Sequence, residues 1–162
     1  MGYTQYIKYY TTELDQERWN KFTKNCRVLL KNLPEKSVVH DEYENAPLII
    51  TGCGRYKRPQ FTKEHVWFNG GGEFNNDTLD HETCVIRRKR DKDEMFDFCK
   101  TAQKPYDFMV CAVFFLLQAY FPKEVHISSD GDYEEWEDAI EWVKKLVPSK
   151  EVAALLVKGF TP

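Results

Sequence analysis

The chain has 162 residues, of which 42% are hydrophobic and 15% aromatic, and its formal net charge is −3. This length suits one globular domain over residues 1–162, and the aromatic content argues against disorder over most of the chain. The slightly acidic total excludes a bulk attraction to nucleic acid or anionic membranes, so we expect neither membrane association nor dedicated nucleic-acid binding.

The cysteines and the N-terminus predict a cytoplasmic protein. The five cysteines form no CxxC pair and their spacing is irregular, which favours reduced thiols. The N-terminal stretch MGYTQYIKYY is polar and aromatic, so we expect no signal peptide. The longest apolar run, Phe108 to Leu117, is too short to span a bilayer and suits a buried helix.

The first elements are a strand and a long helix. Tyr3–Tyr10 is rich in Tyr and Thr, as strands are. Asp15 and the two threonines before it offer N-cap side chains to a helix over Glu13–Leu33, whose apolar residues recur every three or four positions. Pro34 ends this helix, and we expect residues 34–47 to form a loop with a short extended piece.

Three strands are predicted in the middle of the chain, over Leu48–Thr51, His65–Asn69 and His81–Arg88. The glycine-rich stretch GGGEFNND between the last two is expected to be a flexible loop. The run RRKRDKDE holds five positive and three negative side chains and is typical of a solvated hairpin tip or loop.

The C-terminal part is mostly helical. Pro105–Phe121 is apolar almost all round, which predicts a helix buried on most sides. Val125–Ser129 reads as a strand, and Tyr133–Val147 as a helix with an acidic start and a basic end. Ser149 can cap a last short helix that ends near Gly159.

The element order β-α-β-β-β-α-β-α predicts the α+β class. We expect a mostly antiparallel sheet of about five strands with three main helices. Because the central helix is apolar on all sides, the sheet should cover one of its sides and the other helices the opposite side.

The stretch FCKTAQKPYD, residues 98 to 107, directly precedes the central helix. Pro105 and Asp107 suit the first turn of a helix without any ligand, because a proline there loses no hydrogen bond and an acid favours the dipole. Lys100 and Lys104 do not fit this explanation, since cations are disfavoured at a helix N-terminus. Either acids compensate these lysines or an anion binds there.

Two further polar clusters could complete such a site. Ser128, Ser129 and Asp130 follow a strand and precede a helix, which is typical both of a capped turn and of a ligand position. Glu82 shares the strand parity of apolar residues, so its carboxylate needs a cationic partner or has a raised pKa. Asn69 precedes three glycines, but no Walker motif follows them.

Other chemistries find little support in the sequence. The four histidines, His40, His65, His81 and His126, are scattered, so we expect no metal, and no motif predicts a cofactor. Cys99 beside Lys100 is better explained by packing than by catalysis. The basic run that begins at Tyr56 could touch nucleic acid, but the acidic total argues against it.

Several short motifs occur in a fixed order along most of the chain: GYT at 2–4, FNG at 68–70, HET at 81–83, FCKTAxKPYD at 98–107 and SSDG at 128–131. In these motifs the chain resembles a group of small, largely uncharacterised proteins encoded by bacteriophages and large DNA viruses. The resemblance implies a viral protein that acts in the host cytosol. It brings no activity with it.

The sequence therefore predicts a small-molecule binding domain for an anionic, nucleotide- or phosphate-like ligand. One alternative is an enzyme on the same ligand, with Glu82 or Asp130 as acid or base. Another is a protein–protein interaction module. The sequence does not determine the oligomeric state, and a homo-oligomer is one of the options. The predicted ligand contacts are Asn69, Glu82, Lys100, Thr101, Lys104, Tyr106, Asp107, Ser129 and Asp130.

Overall fold

The computed structural model describes residues 2–38 and 42–162 and confirms the α+β class. Nine strands and four helices lie in these two ranges. The strands are β1 (Thr4–Tyr9), β2 (Ile50–Thr51), β3 (Gln60–Phe61), β4 (His65–Gly70), β5 (Glu73–Phe74), β6 (Asp77–Thr78), β7 (Cys84–Arg87), β8 (Phe96–Lys100) and β9 (Val125–Ser129). The helices are α1 (Gln16–Lys31), α2 (Asp107–Tyr120), α3 (Tyr133–Leu146) and α4 (Lys150–Lys158).

The pairing is antiparallel throughout the described ranges, as predicted, but it is divided among three sheets instead of one. The first sheet has the order β8-β1-β9. In the second sheet, β4 pairs with β2, β3 and β7. The third is the short hairpin of β5 and β6. Since β8 and β9 are each antiparallel to β1, they run parallel to one another, and α2 connects them.

The core is built around α2, which is buried on nearly all sides. The helix contacts β1 and β9 of the first sheet and the helices α1, α3 and α4, so it is covered from both directions as predicted. At the C-terminal end of the chain, the Phe160 ring packs against Phe115 and Trp136, at centroid distances of 5.1 and 5.5 Å. These contacts fasten the segment after α4 to the core.

The helix ends follow the local signals in the sequence. Asp15 caps α1 by accepting the Arg18 N–H, and Ser149 caps α4 by accepting the Val152 N–H. Gly159 ends α4 with φ +82°, a left-handed conformation that glycine adopts without strain.

Two predicted loops have more structure than expected. The glycine-rich stretch contains the β5–β6 hairpin, whose two turn residues, Asn75 and Asn76, both have positive φ. In the charged run, Arg88 and Arg90 are buried instead of solvated. Arg88 bonds Glu13 and the Leu14 carbonyl, which explains its burial. Of the predicted loop at 34–47, residues 39–41, and with them His40, lie outside the described ranges.

Candidate functional site

Most of the predicted ligand residues gather at one end of the first sheet. The last residue of β8, Lys100, pairs with Thr4 at the start of β1. On the other side of β1, Ser129 at the end of β9 pairs with Gln5. Helix α2 begins shortly after β8, and α3 begins shortly after β9, so both helix N-termini follow strands that end here.

At the start of α2, Asp107 belongs to a buried hydrogen-bond network. Its carboxylate accepts bonds from the Gln5 amide (2.9 Å), the Thr101 hydroxyl (2.6 Å) and the Cys111 thiol (3.5 Å). Burial raises the pKa of Asp107. Thr101 and Asp107 therefore bond to each other and to buried side chains, and both residues are buried.

Lys104 is held by the β5–β6 hairpin. Its ammonium group donates to the Thr78 carbonyl and lies 3.3 Å from the Asp77 carboxylate, and its side chain is only 10% exposed. Asp77 also accepts the Tyr43 hydroxyl at 2.8 Å. Acidic compensation, the first of the two explanations that the sequence left open for the lysines, therefore applies to Lys104.

Asn69 and Tyr106 hold the segment that carries Glu82. The Asn69 amide donates to the His81 carbonyl (2.9 Å) and the Thr83 hydroxyl, and its oxygen accepts the N–H groups of Gly70 and His81. The buried Tyr106 donates its hydroxyl to the Glu82 carbonyl at 2.8 Å. These bonds use the polar groups of Asn69 and Tyr106 within the protein.

Glu82 and Lys100 meet through the backbone. The Glu82 carboxylate accepts the Lys100 backbone N–H at 2.8 Å. The Lys100 ammonium group forms no ion pair with any described residue. Across the sheet, the exposed Asp130 accepts the Tyr6 hydroxyl at 3.0 Å. Lys100 ends β8 and Asp130 directly follows β9, and the two residues lie on opposite sides of Thr4 in β1. Two strand spacings separate them, so their backbones are roughly 10 Å apart.

Ser129 completes the turn into α3. Its hydroxyl accepts the Gly131 N–H at 2.9 Å and so stabilises the turn. This is the first of the two roles, capped turn or ligand position, that the sequence predicts for this segment. The predicted residues are thus brought together at one end of the sheet. Their polar groups are mostly bonded within the protein, and Asp130 is the exposed member, whereas Glu82 and Lys100 are half-buried.

A second polar cluster, which we call the ring cleft, lies on the face of β4 and β7 turned away from the core. It has a volume of about 250 Å³. Strand alternation sends Val66 and Phe68 into the core and turns His65 and Trp67 outward. The cleft is lined by Arg55, Tyr56, Glu64, His65, Trp67, Val85, Arg87 and Lys89.

The loop between β2 and β3 folds over this face and adds an aromatic wall. The Tyr56 ring lies 5.2 Å from His65 and 5.3 Å from Trp67, the latter in an edge-on arrangement. The Arg55 guanidinium lies over both Tyr56 (5.1 Å) and Trp67 (5.9 Å). The fold of the loop depends on Gly52, since a Cβ there would meet the Tyr56 carbonyl oxygen at 2.1 Å.

Two polar groups in the ring cleft have no hydrogen-bond or ion-pair partner among residues 2–38 and 42–162. His65 Nε2 is buried and makes no hydrogen bond there. Arg55 makes only its contacts with aromatic rings and forms no ion pair with a described carboxylate. Burial and the nearby Arg55 lower the pKa of His65, so this imidazole is neutral at pH 7.

The charge of the ring cleft is positive although the protein is acidic. The lining of the cleft has three cationic side chains, of Arg55, Arg87 and Lys89, and a single carboxylate. That carboxylate, on Glu64, lies 3.3 Å from the buried guanidinium of Arg88, which offsets its charge. Lys89 lies 3.4 Å from Glu13 and Arg87 lies 4.0 Å from Glu94, so Arg55 is the lining cation that has no ion pair among the described residues. The ring cleft can therefore attract an anion and offer it aromatic surface.

A larger cleft of about 380 Å³ adjoins it at Lys89 but has the opposite bias. Its lining includes the acids Glu13, Asp91 and Glu94, which outnumber its two cations, and it contains no aromatic ring. This composition disfavours an anionic ligand.

The sequence carries two separate signals for the ring cleft. The alternation in HVWFN places a tryptophan on the solvent side of a strand, and a basic stretch follows Cys53. Only the tertiary structure shows that this stretch folds back onto Trp67, because the contact joins the loop between β2 and β3 to β4.

In the described ranges, no three His, Cys, Asp or Glu side chains are grouped so that they could hold a metal ion. None of the helices in those ranges has the length and hydrophobicity needed to cross a membrane. Comparison with family models, curated proteins and solved structures finds no match to this chain.

Proposed function

We propose that the protein binds a small anionic ligand that carries an aromatic ring, as a nucleotide does, in the ring cleft. The observation that supports this most strongly is the position of the unpaired Arg55 guanidinium over the rings of Tyr56 and Trp67. Such a site offers one ligand both a stacking surface and a charged donor.

The parts of a nucleotide fit the two halves of the cleft. A volume of about 250 Å³ has room for a single ring system, which would pack against Tyr56 and Trp67. His65, whose ring lies 5.2 Å from that of Tyr56, adds a third ring to this aromatic wall. Arg55 and Arg87 are exposed at the cleft and would bind the phosphate.

This proposal keeps the ligand class that the sequence predicts and changes the contact residues. The site predicted around the start of α2 has most of its polar groups bonded within the protein, as described for Lys104 and Asp107. The enzyme alternative with Glu82 or Asp130 stays a prediction, as do the interaction module and the viral, host-cytosolic setting.

Isothermal titration calorimetry with AMP, GMP, CMP and UMP tests the proposal. Adenosine and inorganic phosphate serve as probes for the ring and the charge alone. We expect a mononucleotide to bind more tightly than either fragment, and Arg55→Ala to weaken it at least tenfold. Arg58→Ala is the matched control, because Arg58 is an exposed arginine of the same loop that does not line the cleft.

Two results would overturn the proposal. One is the absence of heat with all four mononucleotides at millimolar concentration. The other is binding that Arg55→Ala and Arg58→Ala weaken equally, which would make the effect one of general charge. Chromatography of the nucleotide after incubation separates the enzyme alternative, since a binding protein returns it unchanged.

A further inference from the structure

The outer face of the first sheet displays aromatic rings to solvent. Phe96 and Phe98 on β8 are 56% and 55% exposed. The register places Phe98 beside Tyr6 and Phe96 beside Lys8 of the central strand. The rings of Tyr6 and Phe96 stack with 5.9 Å between centroids, and those of Phe96 and Phe98 are 6.4 Å apart. We call this surface, with Tyr10 at its edge, the aromatic face.

The composition of the aromatic face departs from that of an ordinary solvated sheet. Alternation sends Ile7, Tyr9 and Cys99 into the core, so the residues between them should be polar. Instead, half of the six outward positions of β1 and β8 carry an aromatic ring, and none carries an aliphatic side chain. A set of exposed rings on one face indicates a binding surface.

The charges at the aromatic face favour an anionic partner. Lys8 and Lys100 lie at its two ends, and neither forms an ion pair within the described residues. Lys8 lies 5.5 Å from the centre of the Tyr10 ring. On the β9 side, His126 is exposed, and the exposed Asp130 accepts the Tyr6 hydroxyl and keeps its negative charge, so the two lysines outnumber this acid.

We propose that the aromatic face binds single-stranded nucleic acid. Flat rings on adjacent strands provide stacking surfaces for successive bases, and the two lysines can contact the phosphates. Such binding tolerates different base sequences, because every base has a π face. The sequence predicts no dedicated nucleic-acid binding because the overall charge is −3. Binding at one surface depends on the local charge there, so the overall charge does not exclude this proposal.

Fluorescence anisotropy with labelled dT10 and U10 tests the proposal on the full chain, in 50 and 200 mM salt. We expect Phe98→Ala to weaken binding at least fivefold, because the variant loses a stacking ring. Tyr133→Ala is the control, as this exposed aromatic residue lies on α3, away from the face. Circular dichroism checks folding, which removal of a half-exposed ring should leave intact.

The salt dependence gives a second, independent measurement. For a single strand, each phosphate contact contributes about −0.7 to the slope of log K against log salt. Lys8→Ala should therefore make the slope less steep by about 0.7, and Lys123→Ala, an exposed lysine outside the face, should not change it.

Three results would overturn the proposal. The first is no binding of either oligonucleotide at 50 mM salt and high micromolar protein. The second is binding that survives Phe98→Ala and Lys8→Ala unchanged. The third is a dimer in analytical ultracentrifugation that Phe98→Ala dissociates while no oligonucleotide binds, which would make the face an interface between two copies of the chain.

Discussion

Lys104 and Lys100 provide a direct test of how the structure uses its basic residues. From the sequence, both lysines are predicted to contact a ligand. In the structure only Lys100 lacks an ion pair within the described ranges, whereas Lys104 holds the β5–β6 hairpin. We therefore expect Lys104→Met to destabilise the protein and Lys100→Met to leave its stability almost unchanged.

The size of the effect follows from the contacts of Lys104. A hydrogen bond from a charged donor contributes about 1.5–3 kcal/mol, and the bond to the Thr78 carbonyl is of this kind. Because Thr78 is exposed, water can replace part of this bond, so about 2 kcal/mol is expected. The half-exposed Asp77 adds little, since solvent screens its charge. Methionine retains most of the aliphatic stem.

Urea unfolding followed by tryptophan fluorescence measures this difference, because Trp19 and Trp136 are fully buried. A loss of about 2 kcal/mol corresponds to a melting temperature lower by about 4–8 °C in a domain of this size. Lys100→Met should stay within about 0.5 kcal/mol of the wild type. If Lys104→Met and Lys100→Met had the same free energy of unfolding, the assignment of Lys104 to the hairpin would be refuted.

Two further substitutions probe the core. Burial raises the pKa of Asp107, so the native state holds its proton more tightly than the unfolded chain, and stability falls as pH rises from about 3.9 through that raised value. Asp107→Asn should therefore gain stability over the wild type as pH rises in urea titrations, and a difference between the two proteins that is the same at every pH would refute this. Phe160→Ala should cost about 3 kcal/mol in thermal unfolding because it removes a ring packed on Trp136, and Val157→Ala, at an 89% exposed position on α4, should cost far less. A Phe160→Ala protein as stable as Val157→Ala would show that the C-terminal segment does not contribute to the core.

Elements with a strong local signal could be predicted from the sequence. The strand Val125–Ser129 has the same bounds in the structure, and the C-terminal helix has the Ser149 cap and the Gly159 end that were predicted. These features depend on residues within a few positions of one another. Side-chain periodicity and capping chemistry therefore determine them before any tertiary contact forms.

Strand β8 and the buried arginines could not be predicted in this way. The alternation in Phe96–Lys100 is regular, but it places phenylalanines outward and only Cys99 deep in the core, which is the reverse of the usual pattern. Arg88 looks solvated in the sequence because its partners, Glu13 and Glu64, lie 75 and 24 positions away. Such contacts arise only when distant segments pack together.

The sequence by itself determined the fold class, the buried central helix and the supply of lysines, arginines and aromatic rings. The tertiary structure alone decided which of these groups are free to bind. Lys104 is used internally by a hairpin, whereas Arg55 is left over the rings of Tyr56 and Trp67. The physical reason is that a charged group is available to a ligand only if no partner in the folded chain already satisfies it, and those partners lie far away in sequence.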